Sequence, residues 1–72
     1  MILYEFRALE KLKAELTEQY NQQGEKSGYK VTLIAYSGQF EVTIINETYK
    51  DLGKAENKFE EVVEDVKQLL CL

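Results

Sequence analysis

The sequence predicts an α+β domain of two layers, α-β-β-(β)-α, with an antiparallel hairpin or three-stranded sheet carrying two helices on one face. Three observations point there. Apolar and polar residues alternate from Tyr29 to Lys50 around one tight turn, the period of a half-buried strand pair. A stripe spaced by three or four residues precedes them, and a second such stripe follows. A hairpin with one dry face and two amphipathic helices closes as a two-layer solution.

In the first stripe, Ile2, Phe6, Leu9, Leu12, Leu16 and Tyr20 mark one face of a helix over residues 2–21, with Glu10, Lys13, Glu15 and Glu18 on wetter faces. Asn21 and Gly24 tolerate the left-handed conformation that ends helices, and residues 22–28 read as a polar, mobile loop. Strands are expected over 29–36 and 39–46. With Ser37-Gly38 as a two-residue turn, Tyr36 faces Gln39, and Ala35, Leu33 and Val31 oppose Phe40, Val42 and Ile44 on the dry face. Ile34, Tyr36 and Ile45 then gather on the outer face beside Thr32 and Thr43. A short third strand over 48–52 is the optional element. Gly53 breaks the pattern, and Ala55, Phe59, Val62, Val66 and Leu69 mark a helix over 54–70.

The bulk properties restrict the functions open to such a chain. Its 72 residues make one small domain, and a chain of this size buries only about 60% of its unfolded surface. The sequence has one cysteine, Cys71, and no histidine, which excludes an internal disulfide and leaves zinc without a ligand set. A well-packed core or a second copy of the chain must therefore supply stability, so a homodimer is among the expected states. Cys71, between Leu70 and Leu72, reads as an apolar residue finishing the core edge. No stretch approaches the about 20 apolar residues of a membrane span, and no basic leader precedes an apolar block. A cytoplasmic protein without cofactors is expected.

The net charge is −4 and the pI about 4.8. The first 36 residues balance five basic against five acidic side chains, so the excess lies wholly in the second half. There, Glu56, Glu60 and Glu64 recur every four residues on one helical edge, with Glu61 and Asp65 adjoining. Like charges at this spacing cost about 0.2–0.5 kcal/mol per pair in an isolated helix. A face that tolerates them keeps a small protein soluble, or presents a negative surface to a basic partner. Tyr36 and Ile34 are the candidate apolar anchors, since tyrosine buries much area with few rotamers. Catalysis has no support: no carboxylate is placed for acid–base work, no glycine-turned calcium loop is present, and Gly24-Glu25-Lys26-Ser27 lacks the glycine that a phosphate loop needs before its lysine. No catalytic, cofactor or metal residue is expected.

Two resemblances follow. The α-β-β-β-α order, with Tyr29 opening the first strand and Gly53-Lys54 leading into the last helix, resembles the double-stranded-RNA-binding domain. That family reads RNA with its first helix, the loop between its first two strands and a lysine cluster opening its last helix. Lys54 and Lys58 match the cluster, with Glu56 and Glu60 interleaved; the Ser37-Gly38 turn is shorter than that family's loop. The second resemblance is compositional: small, acidic, cysteine-poor α/β chains are similar to phage- and mobile-element-encoded inhibitors, anti-CRISPR proteins among them. The leading expectation is a non-enzymatic module that binds another protein through a basic surface on it, as an inhibitor of a nucleic-acid-processing complex. A degenerate duplex-RNA binder and a homo-oligomeric assembly subunit are the alternatives, with nucleic acid ranked behind protein as partner.

Overall fold

The computed structural model describes residues 1–70; Cys71 lies outside the described residues. The class is α+β, and the layout differs from the predicted one in its first third. Four strands, β1 (Ile2–Ala8), β2 (Leu12–Tyr20), β3 (Lys26–Ser37) and β4 (Phe40–Tyr49), form an antiparallel sheet in the order β1-β2-β3-β4, followed by one helix, α1 (Leu52–Leu69).

The helix predicted over 2–21 is a hairpin. Two periodicities coexist in this segment. The 3.6-residue stripe would bury Ile2, Leu9 and Tyr20, which stand 52%, 64% and 49% exposed. The two-residue alternation sets Tyr4, Phe6 and Ala8 across from Leu16, Ala14 and Leu12. It prevails because β2 is central: Ala14 and Leu16 face Leu33 and Val31 of β3 on their other side and become fully buried. An isolated hairpin is marginal in water, and two further strands with a packed helix make it stable. The turn itself carries no punctuation in sequence. Leu9 and Glu10 have φ of 54° and 57°, and Lys11 N–H donates to Ala8 C=O at 3.0 Å. A left-handed conformation at both central positions suits Asn-Gly and disfavours side chains such as leucine by about 1–2 kcal/mol each. The double variant Leu9→Asn/Glu10→Gly is therefore expected to gain about 1 kcal/mol or more in stability, read as a higher denaturation midpoint with an unchanged urea slope.

Asn21 and Gly24 shape the next connection instead of capping a helix. The Asn21 side-chain oxygen accepts the N–H groups of Gln23 and Glu25, each at 2.9 Å, and Gly24 sits at φ 82°. This is a side-chain-built turn. It is shorter than the predicted loop, since Lys26–Gly28 already belong to β3. Gly28 is required there: a Cβ would lie 2.7 Å from the Tyr49 carbonyl oxygen. Gly28→Ala is expected to force β3 and β4 apart and cost about 2 kcal/mol or more, seen as a lowered melting temperature.

The second hairpin turns one residue later than predicted. Gly38 (φ 63°) and Gln39 form the turn, and Ser37 faces Phe40. A bulge follows: Ile34 faces Thr43 while Leu33 faces Ile45, so Ile44 is the extra residue. This shifts the predicted pairs, with Val31 facing Glu47 instead of Ile44. It also brings Ile45 to the Leu33 side, against the core. The predicted third strand over 48–52 does not form separately; Thr48 and Tyr49 end β4, and Leu52 begins α1.

The helix covers one face of the sheet, packing chiefly across β2 and β3. Its buried Ala55, Val62 and Val66 meet Ala8, Ala14, Leu16, Val31 and Leu33. Alanine at 14 and 55, both essentially inaccessible, lets the helix backbone approach the strands closely. Phe59, Val63 and Leu70 extend the contact at partial burial. No polar or charged residue is buried among the described residues.

At the far end of the β2–β3 pair, Lys26 Nζ lies 2.7 Å from Glu18 Oε2. The ammonium holds the Glu18 carboxyl below its ordinary value of 4.5. A depressed folded-state value favours folding above the unfolded-state value, and the benefit disappears as pH falls through the depressed one. Glu18→Gln is thus expected to lower the melting temperature at neutral pH, with the gap to the parent closing in acid.

Candidate functional site

The predicted contact residues lie on two opposite sides of the molecule. Glu56, Glu60, Glu61, Glu64 and Asp65 belong to α1, on the side of the helix turned from the sheet or along its flanks. Ile34 and Tyr36 alternate with the core residue Leu33 along β3 and so face the uncovered side of the sheet. Helix and sheet separate the two groups.

The acidic face is not uniform. Toward β1, the Tyr4 hydroxyl donates to Glu56 Oε2 at 2.9 Å. That hydrogen bond, with the neighbouring Glu56 and Glu60 charges, raises the Tyr4 phenol above its ordinary value. Toward β4, Lys58 Nζ bridges Glu47 at 3.5 Å and Glu61 at 3.6 Å. Lys67 reaches Glu64 at 3.9 Å while lying 5.8 Å above the Phe6 ring. Glu56, Glu60 and Asp65 form no ion pair with another described residue. Pairs as exposed as those of Lys58 and Lys67 are worth at most about 1 kcal/mol, and with five acids against Lys54, Lys58 and Lys67 the helix keeps a net negative charge.

The uncovered sheet face is polar, with an apolar spot. Ile34 lies between Lys13 and Thr43 across the strands, and Tyr36 faces Glu41. Lys13 Nζ sits 5.8 Å above the Tyr36 ring and 3.5 Å from Glu15. Tyr36 first, then Glu15, hold the Lys13 ammonium above its ordinary value. Ile34 and Tyr36 are only half-exposed. Ile45, expected beside them, lies on the other side of the sheet because of the bulge at Ile44.

Two features escaped the sequence reading. Tyr4 and Phe59 stack at a centroid distance of 5.7 Å and an interplanar angle of 30°. With Glu56 and Glu60 they line an open notch of about 190 Å³ between β1 and α1. The spacing Glu56, Phe59, Glu60 places three of these on one helix edge, but Tyr4 joins them only once β1 is a strand. The second is the edge strand β4, where Phe40, Val42 and Ile44 stand 76%, 58% and 55% exposed. Among the described residues, no group of three or more His, Cys, Asp or Glu is placed to hold a metal ion, and no helix is long and apolar enough to cross a membrane.

The fold defines a class: a four-stranded antiparallel meander with one helix across one face and the other face open. The element order α-β-β-β-α, which carried the resemblance to double-stranded-RNA-binding domains, is not the one observed. No protein-family model, curated protein or solved structure matches the chain.

Proposed function

We propose that this chain is a small non-enzymatic binding module whose acidic helix engages a basic surface on another protein. The observation that carries the reading is the set of five carboxylates along α1, of which Glu56, Glu60 and Asp65 have no cationic partner among the described residues. A helix that maintains such a face forgoes helix stability of its own. Complementary charge in a partner recovers it, speeds encounter and selects against acidic competitors. Basic grooves of this kind occur on nucleic-acid-processing machines, which must hold a polyanion. An inhibitor of the phage or mobile-element type, occupying such a groove in place of the nucleic acid, is the fullest form of the proposal.

The test is affinity capture of the tagged chain from nuclease-treated lysate, with mass spectrometry of the bound fraction. A single stoichiometric protein with a basic surface supports the reading. Recovery of the chain alone overturns it in favour of self-association. A specific observation supports that second reading: β4 is an unpaired edge displaying three exposed apolar side chains, a strand template for another copy. Duplex RNA as ligand keeps only Lys54 and Lys58 on its side, since the first helix that family uses is a hairpin here.

A further inference from the structure

We propose that the notch between Tyr4 and Phe59 is the docking point for an arginine side chain of the partner. The inference rests on the reading above and names its anchor. The notch joins three properties suited to one ligand group. It is concave, about 190 Å³, and open to solvent. Two aromatic rings, at 5.7 Å and tilted by only 30°, form its apolar wall. Two carboxylates, Glu56 and Glu60, stand one helical turn apart at its rim.

Such a lining selects a planar cation. A guanidinium lies flat against an aromatic face and donates in a fork to carboxylate oxygens, whereas an ammonium makes a point contact and is more strongly hydrated. Glu56 is already oriented for this: Oε2 accepts the Tyr4 hydroxyl, which leaves Oε1 for an incoming donor. Glu56 chiefly, through its hydrogen bond and charge, and Glu60 more weakly hold the Tyr4 phenol above its ordinary value. Three other rings carry a lysine of the chain itself, Lys67 over Phe6, Lys13 over Tyr36 and Lys26 over Tyr29, while among the described residues Tyr20, Phe40 and Tyr49 carry none. Over Tyr4 and Phe59 no described lysine or arginine stands. What sets this ring pair apart is that two carboxylates and an open cavity adjoin it, so an external cation meets charge and aromatic surface together.

The experiment is a titration of isotope-labelled protein with N-acetyl-arginine N-methylamide, followed by NMR, beside the matching lysine derivative. The expected result is saturable shifts confined to Tyr4, Glu56, Phe59 and Glu60, with the arginine probe tighter than lysine. Glu60→Gln, an exposed change that leaves the core intact, is expected to weaken binding by about threefold. Phe59→Leu, which keeps an apolar contact with the core but removes the ring, is expected to abolish the preference for arginine. Shifts scattered over all acidic residues, or equal affinity in the parent and in Glu60→Gln, overturn the proposal. The broader reading fails separately: arginine binding at the notch together with no protein captured from lysate leaves the notch and removes its physiological partner. Capture without saturation at the notch does the reverse.

Discussion

Replacing Leu16 by alanine is expected to cost about 2–5 kcal/mol, the usual range for a large buried aliphatic truncated in a core. Leu16 is fully buried, with Tyr4 and Val31 as its neighbours across β1 and β3. A domain of 72 residues has a total stability of about 4–11 kcal/mol, so the change removes a large part of it. At about 4–8 °C per kcal/mol, the melting temperature should fall on the order of 20 °C. The core has little capacity to compensate, since three of its eight buried residues, among those described, are alanines that contribute little apolar area. Ile34→Ala on the open sheet face is the matched control, because Ile34 is outside the core. Thermal denaturation of the two variants side by side checks the assignment, and equal losses at 16 and 34 would contradict it.

The second large effect concerns binding. Reversing Glu60 and Glu64 to lysine turns two negative positions of α1 positive without touching Ala55, Val62 or Val66. Repulsion then replaces attraction across the interface, and partner affinity is expected to fall at least about tenfold at low ionic strength. The salt dependence should flatten as well, since screening has less attraction left to remove. Folding is expected to be retained, since both residues are exposed. Relief of repulsion with Glu56 and Glu61 is of the same size as the loss of the Lys67–Glu64 pair and the new repulsion between lysines at 60 and 64. Calorimetric titration with the captured partner at two salt concentrations measures both quantities. Affinity unchanged by the reversal would show that α1 is not the contact.

How legible these features were depended on local punctuation. The existence of a hairpin turning near Gly38 and of α1 after about Gly53 was evident from these glycines and the alternating or helical spacing around them, although the hairpin's register and the extent of β4 were not. The first hairpin was not, because Leu9-Glu10 is a turn without Gly, Asn or Pro, and the residues around it are good helix formers. Position-by-position alternation at Tyr4, Phe6 and Ala8, and again at Leu12, Ala14 and Leu16, was present in the sequence. It lost to a helical stripe through Phe6, Leu9, Leu12 and Leu16. Only long-range pairing of β2 with β3 resolves this competition, and spacing within one segment does not contain it. The bulge at Ile44 was equally hidden, since Ile44 and Ile45 are interchangeable in any apolar pattern. One inserted residue nevertheless moved Ile45 from the outer face to the core.

The same logic governs the candidate site. The five acids of α1 could be assigned to one surface from spacing alone, because helix geometry fixes their relation. Their separation from Ile34 and Tyr36 by the whole thickness of the domain required the sheet. The notch required it more strongly still, since Tyr4 reaches Glu56 and Phe59 from the opposite end of the chain.

That separation makes the decisive measurement simple. Amide chemical shifts of the labelled chain, recorded with and without its captured partner, report which side is engaged. The account predicts changes concentrated at Glu56–Asp65 and at Tyr4, with β3 undisturbed around Ile34 and Tyr36. Changes centred on Ile34 and Tyr36, with α1 unmoved, would place the partner on the open sheet face and contradict it.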